Sequence, residues 1–112
     1  MRRFATLVGV IASLAAWADE TPLEIESSTG SSYFVVEQGG TAERPEMVLK
    51  RVRSSGATSY SRNLYDCEAR LARQLNDAES LEALGEERQE AEMAPVEEGT
   101  VSWQLWKHAC GK

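Results

Sequence analysis

The sequence predicts an α+β fold, in which antiparallel strands precede a C-terminal helix. Segment 47–53, which alternates imperfectly, and segment 58–67, which carries Tyr60, Leu64 and Tyr65, flank the turn Ser54-Ser55-Gly56. This pattern is typical of an antiparallel hairpin. The segment from Thr100 to Gly111 carries residues that begin and end a helix. The chain has two cysteines, which predict one disulfide.

The chain begins with a predicted signal peptide, residues 1–18. Arg2 and Arg3 precede an apolar run from Phe4 to Trp17. That run ends in Ala16-Trp17-Ala18, which matches a small-residue cleavage site. It is too short to cross a membrane comfortably as a helix. We therefore expect cleavage after residue 18.

The remaining residues, 19–112, are expected to form a single small exported domain that is periplasmic or secreted. A bacterial lipoprotein would carry a cysteine directly after the cleavage site, and Asp19 stands there instead. No lipid anchor is therefore expected.

The first predicted strand covers Tyr33–Val36, because aromatic and β-branched residues favour strands. Gly39 and Gly40 are expected to stop it. The segment from Glu68 to Met93 is ambiguous, since its residues are good helix formers and predict a helix from about Ala69 to Leu84. A strand is the alternative, because alternate positions from Ala69 share a period of two.

The C-terminal segment predicts a helix that begins after Thr100, a residue suited to capping it. Gly111 stands where a helix stop belongs. Trp103 and Trp106 are three residues apart, so they lie near each other on this helix. We expect Trp106 and Leu105 to cover the sheet and Trp103 to be the more exposed ring.

The two cysteines, Cys67 and Cys110, are expected to form a disulfide. An even number of cysteines in an exported protein favours this pairing. The alternative is a zinc site that adds the only histidine, His108. His108 and Cys110 are two residues apart on the predicted helix and point to different faces, which disfavours zinc.

Charge is distributed unevenly along the chain. The formal net charge is −6, and loss of Arg2 and Arg3 with the signal peptide would lower it by two further. Seven basic residues lie within 44–76, whereas nine acidic residues lie within 77–98. The net acidity argues against nucleic acid or an anionic membrane as the main partner. We interpret the acidic segment as a solvated loop.

Two strings stand out together. In the first, from Leu64 to Leu71, an aromatic residue, Asp66 and Cys67 are followed by an arginine. The second, from Pro95 to Cys110, contains a Gly-Thr pair and a short helix ending in Ala-Cys. Together they resemble the bacterial surface-adhesin protein E-like domain, a small exported module.

This resemblance implies an antiparallel sheet packed against the C-terminal helix, with the two cysteines joined. It also implies that Arg70 to about Ala78 is a strand, and we follow it over the helix propensity. The best-known relative is a surface lipoprotein that binds host extracellular-matrix proteins. This chain departs from it in lacking the lipid-bearing cysteine and in its net acidity.

Catalytic and cation-binding motifs are weak. His108 is the only imidazole base, and the chain has no G-x-S-x-G nucleophile elbow. Acidic pairs such as Glu86-Glu87 lack EF-hand spacing for calcium. No cofactor is expected.

The candidate binding residues are Trp103 and three arginines, Arg51, Arg53 and Arg62. If segments 47–53 and 60–66 are neighbouring strands, the arginines are expected to share one face of the sheet and to orient a partner. The alternative is that they pair with the chain's own acidic loop or form an ordinary solvated face.

The sequence therefore predicts an exported, soluble binding or interaction module that is not an enzyme. Its partner is expected to be a protein of the envelope or the extracellular space. An inhibitor or accessory subunit of another envelope protein is the alternative, followed by a small hydrolase using His108.

Overall fold

The computed structural model describes residues 20–89 and 92–112, which form one six-stranded antiparallel sheet with two helices. The predicted α+β fold is confirmed. Each strand pairs with the next along the chain. The strands are β1 (Thr21–Leu23), β2 (Ser32–Gly40), β3 (Pro45–Val52), β4 (Thr58–Asp66), β5 (Leu71–Ala78) and β6 (Ala94–Pro95), and the helices are α1 (Leu81–Leu84) and α2 (Val101–Cys110).

The predicted hairpin is formed by β3 and β4. The N–H of Arg53 donates to the carbonyl of Ala57 at 2.8 Å, which closes the turn. Gly56 has a φ of +94° there, a conformation that glycine adopts without strain. The first predicted strand lies within β2, which continues through both glycines instead of stopping before them.

Strand β5 confirms the strand prediction for residues after Arg70, against the local helix propensity. Its backbone pairs with β4 from Leu71 opposite Asp66 to Ala78 opposite Tyr60. Leu75 in its middle is fully buried. Strand pairing and the burial of Leu75 therefore outweigh the helix propensity of this segment. Helix propensities of ordinary residues differ from one another by only tenths of a kcal/mol. Helical structure survives in the four residues of α1.

Helix α2 has the predicted ends. The Thr100 side chain accepts a hydrogen bond from the Trp103 N–H at 3.1 Å, and Gly111 has the left-handed conformation of a helix stop. Leu105 and Trp106 are buried against the sheet, as predicted. The core that they complete consists of Val35, Met47, Leu49, Tyr65, Val96, Leu105 and Trp106.

Different elements pack against the two sides of the sheet. We call the side with Met47 and Leu49, which packs against α2, the helix side. The opposite, loop side carries Val48, Arg62 and Asn76, which are paired across β3, β4 and β5. Helix α1 and the segment after it lie on the loop side, because the Asn76 amide donates to the Leu84 carbonyl.

Neither helix in the described part of the chain is long and apolar enough to cross a membrane. The predicted signal peptide, residues 1–18, and its cleavage site before Asp19 lie outside the described residues.

Candidate binding groove on the helix side of the sheet

The predicted disulfide joins Cys67 to Cys110. It links the turn after β4 to the last residue of α2, with 5.7 Å between the two Cα atoms. Because both sulfurs are in this bond, neither is available as a thiolate for zinc, which removes the alternative metal site with His108. The described residues contain no cluster of three or more histidine, cysteine or acidic residues suited to a metal ion.

The turn after β4 is organised by Asp66. Its Oδ1 accepts hydrogen bonds from the backbone N–H groups of Ala69 at 2.8 Å and Glu68 at 3.1 Å. The Ala69 N–H, followed by the nearby Arg44 guanidinium and the Glu68 N–H, holds the pKa of the Asp66 carboxyl below its usual value. The carboxylate therefore stabilises the turn that carries Cys67.

Trp106 connects the same turn to α2. Its indole N–H donates to the Asp66 carbonyl at 2.9 Å. The Arg70 guanidinium lies 5.7 Å from the centre of the Trp106 ring and pairs with Glu98 at 3.8 Å. Asp66, Arg70 and Trp106 thus hold helix and sheet together.

Trp103 is the more exposed of the two rings, as expected, because Trp106 is buried. Trp103 is half-buried and packs against the core, and the Lys107 ammonium lies 3.9 Å from the centre of its ring. The ring is therefore covered in part by its own helix. Its role as a contact for a partner stays a prediction.

The prediction that Arg51, Arg53 and Arg62 share a sheet face is wrong for Arg62. In the register of β3 and β4, Arg51 is opposite Ser59, whereas Arg62 is opposite Val48. Paired residues point to the same side and successive residues alternate, so Arg51 lies on the helix side and Arg62 on the loop side.

Arg62 has a structural role on the loop side. Its Nη2 donates to the Gly85 carbonyl at 3.0 Å and lies 3.3 Å from the Glu86 carboxylate. Only 12% of its side chain is exposed. For this arginine the alternative interpretation, pairing with the acidic segment, is confirmed.

Arg51 and Arg53 line a groove of about 390 Å³ between the sheet and the start of α2. We call it the arginine groove. Its apolar residues include Leu49, Val101 and Leu105. Its polar residues include Tyr33, Arg51, Arg53, Ser59, Ser61 and Asp77.

In contrast to five other cations, Arg51 and Arg53 have no carboxylate within ion-pair distance among the described residues. Ion pairs do form at Arg44–Asp66, Lys50–Glu20, Arg62–Glu86, Arg70–Glu98 and Arg88–Glu46. Arg73 also lines the groove. Within the described part of the chain, Arg51 and Arg53 therefore present two positive charges with no carboxylate beside them.

Sequence reasoning missed Tyr33 and the β4 residues Ser59 and Ser61. The alternation of Ser59, Ser61 and Asn63 within β4 was a usable signal, because residues two apart share one side of a strand. Their position beside Arg51 depends on the register between strands, which cannot be read from the sequence.

His108 is exposed on α2 and lines a separate depression beside Leu23 and Ile25. The described residues lining the arginine groove include serines but neither histidine nor cysteine. A Ser–His arrangement is therefore not assembled in the groove.

Comparison with family models, curated proteins and solved structures finds no match to this chain.

Proposed function

We propose that this protein is an exported binding module that recognises a partner protein through the arginine groove and catalyses no reaction itself. The observation that carries the proposal is that Arg51 and Arg53 both line the groove and have no carboxylate within ion-pair distance in the part of the chain that the structure describes. Positive charges available on a strongly acidic protein favour one orientation of a partner over others.

Export is part of the same proposal. Disulfides such as Cys67–Cys110 persist mainly in oxidising compartments, which agrees with a signal peptide at residues 1–18. Membership of the protein E-like family is also proposed, on the two strings and on the packing of a disulfide-linked helix against an antiparallel sheet.

Affinity capture tests the proposal. The exported protein is immobilised and exposed to an envelope extract, and the same is done with Arg51→Gln/Arg53→Gln. The control, Arg44→Gln/Lys112→Gln, removes the same charge from exposed residues outside the groove. We expect wild type and control to retain the same partner and the groove variant to lose it.

Retention of every partner by the folded groove variant would refute the proposed surface, as would capture of no partner by any of the three proteins. If the retained partner is an envelope enzyme, activity assays with and without the protein distinguish an inhibitor from an accessory subunit.

A further inference from the structure

We infer that the arginine groove binds an extended acidic peptide segment, with carboxylates of that segment on Arg51 and Arg53. This inference rests on the proposed function, because it specifies the chemistry of the partner at the same groove. Four features of the groove support it: a positioned guanidinium, an open shape, a polar strand and an excess of positive charge in the lining.

Arg51 is held in place before any ligand arrives. Its Nε donates to the Ser31 hydroxyl at 3.1 Å, and its guanidinium lies 6.0 Å from the centre of the Tyr33 ring. Ser31 is itself buried. No described residue forms a hydrogen bond with the terminal nitrogens of Arg51. A carboxylate can therefore accept two parallel bonds from them, and the positioned side chain loses little entropy on binding.

The shape favours a peptide over a free small molecule. Its volume of about 390 Å³ is near the lower end of ligand pockets, which run from roughly 300 to 1,000 Å³. Arg53, Gln74 and Asp77 on its walls are exposed, so the groove is open to solvent. A small molecule there would leave much of its surface in water, whereas typical pockets bury about 70–90% of a ligand.

Strand β4 supplies polar groups at the repeat of an extended chain. Ser59, Ser61 and Asn63 are at alternate positions, so they share the helix side at intervals of about 7 Å. An extended peptide repeats over the same two-residue distance. The Asn63 amide donates to the Ser61 hydroxyl at 2.9 Å, which holds these two side chains in position. The Ser59 hydroxyl, the Ser61 O–H and the Asn63 carbonyl oxygen can still bond the backbone of a peptide that lies along β4, whatever its sequence.

Asp77 is the one acidic residue among the described residues that line the groove, and it lies on β5 opposite Ser61. Arg73, also on β5, lines the groove as well, so the lining carries three arginines and one carboxylate. This excess of positive charge favours an acidic ligand, and Asp77 repels ligand carboxylates in its immediate vicinity.

The test is selection from a random peptide display library on the exported protein at low salt. We expect selected peptides to be enriched in Asp and Glu relative to the starting library. A synthetic selected peptide should bind Arg51→Gln/Arg53→Gln about tenfold or more weakly than wild type, because two charge-assisted hydrogen-bonding groups are lost. Lys112→Gln should leave affinity unchanged, and Glu→Gln replacements in the peptide should reproduce the loss.

Three results would overturn the inference. They are selection of peptides without acidic enrichment, selection of none, and equal binding of acidic peptides by the folded groove variant. Neutral peptides that lose affinity for the groove variant would overturn the acidic specificity and leave the proposed function standing. A partner from envelope extract that binds the groove variant normally would instead defeat the proposed function. If no peptide is selected but a sulfated polysaccharide binds wild type and not the groove variant, Arg51 and Arg53 bind a different class of ligand.

Discussion

The two ends of the helix side differ in how their polar groups are satisfied. At the linked end, around Asp66 and Trp106, the carboxylate accepts two backbone hydrogen bonds and the indole N–H donates to a carbonyl. The disulfide closes that end. At the open end, Arg51 is positioned by Ser31, and neither Arg51 nor Arg53 contacts a carboxylate of the described chain.

This difference separates stability from binding within one small domain. Interactions that are satisfied internally stabilise the attachment of α2 to the sheet. Charges without internal partners add little to folding and remain available to a ligand. Substitutions at the linked end should therefore change unfolding, whereas substitutions at the open end should change binding.

The largest effect is expected for Trp106→Ala at the linked end. Removing this buried ring leaves a cavity and an unpaired carbonyl at Asp66. The free energy of unfolding should fall by about 3–5 kcal/mol in urea titrations. Trp103→Ala is the matched control and should cost less, because Trp103 is only half-buried. An equal or larger loss for Trp103 would contradict the described packing.

Removing the disulfide should have the next largest effect. Cys67 and Cys110 are 43 residues apart, so the chain-entropy model assigns an upper value of about 4 kcal/mol to their bond. Cys67→Ser/Cys110→Ser should lower the melting temperature measured by circular dichroism. Thiol titration of the unfolded, unreduced wild type should detect no free thiol; two free thiols would show that the bond is absent.

Arg62→Gln on the loop side should destabilise the protein by about 1–3 kcal/mol. It removes hydrogen bonds from a charged group to the Gly85 carbonyl and the Glu86 carboxylate. The buried Arg62 Nε has no hydrogen-bond partner among the described residues, and such a donor destabilises the wild type. The substitution removes this donor, so the net loss should be near the lower end of that range. Urea titration measures the change in unfolding free energy. If that free energy does not fall, Arg62 is again a candidate binding residue.

Asp66→Asn should give a smaller, pH-dependent loss of stability. The folded-state pKa of Asp66 lies below its unfolded value, so its carboxylate stabilises the fold above that unfolded value, about 3.9. The contribution is lost as pH falls through the folded-state pKa. The melting temperature of the variant should therefore lie below that of wild type at pH 7, and the gap should narrow from about pH 4 downwards. A gap that is constant with pH would assign the effect to geometry instead of charge.

The smallest effect on stability is expected for Arg53→Gln at the open end. Arg53 is exposed and pairs with no carboxylate of the described residues, so unfolding should change by less than about 0.5 kcal/mol. The same substitution at Arg62 provides the comparison, since both remove one positive charge. A loss at Arg53 as large as that at Arg62 would mean that the open end is also part of the folded framework.

Much of the fold could be predicted because its signals are local. The hairpin follows from two strand-forming segments around Gly56, and the ends of α2 follow from Thr100 and Gly111. The candidate site was only partly predictable. Arg51 and Arg53 were identified, but Arg62 was placed with them because sequence spacing alone does not give strand register.

The sequence by itself determined which local elements this protein contains. They are the strand-forming segments, the capped C-terminal helix and one pair of cysteines. Tertiary structure decided that residues 71–78 form β5, because pairing with β4 and burial of Leu75 outweigh weak helix propensity. It also decided which arginines acquired partners. A shift of one residue in register moves a side chain through the sheet, so long-range pairing alone left Arg51 in the groove and tied Arg62 to the acidic segment.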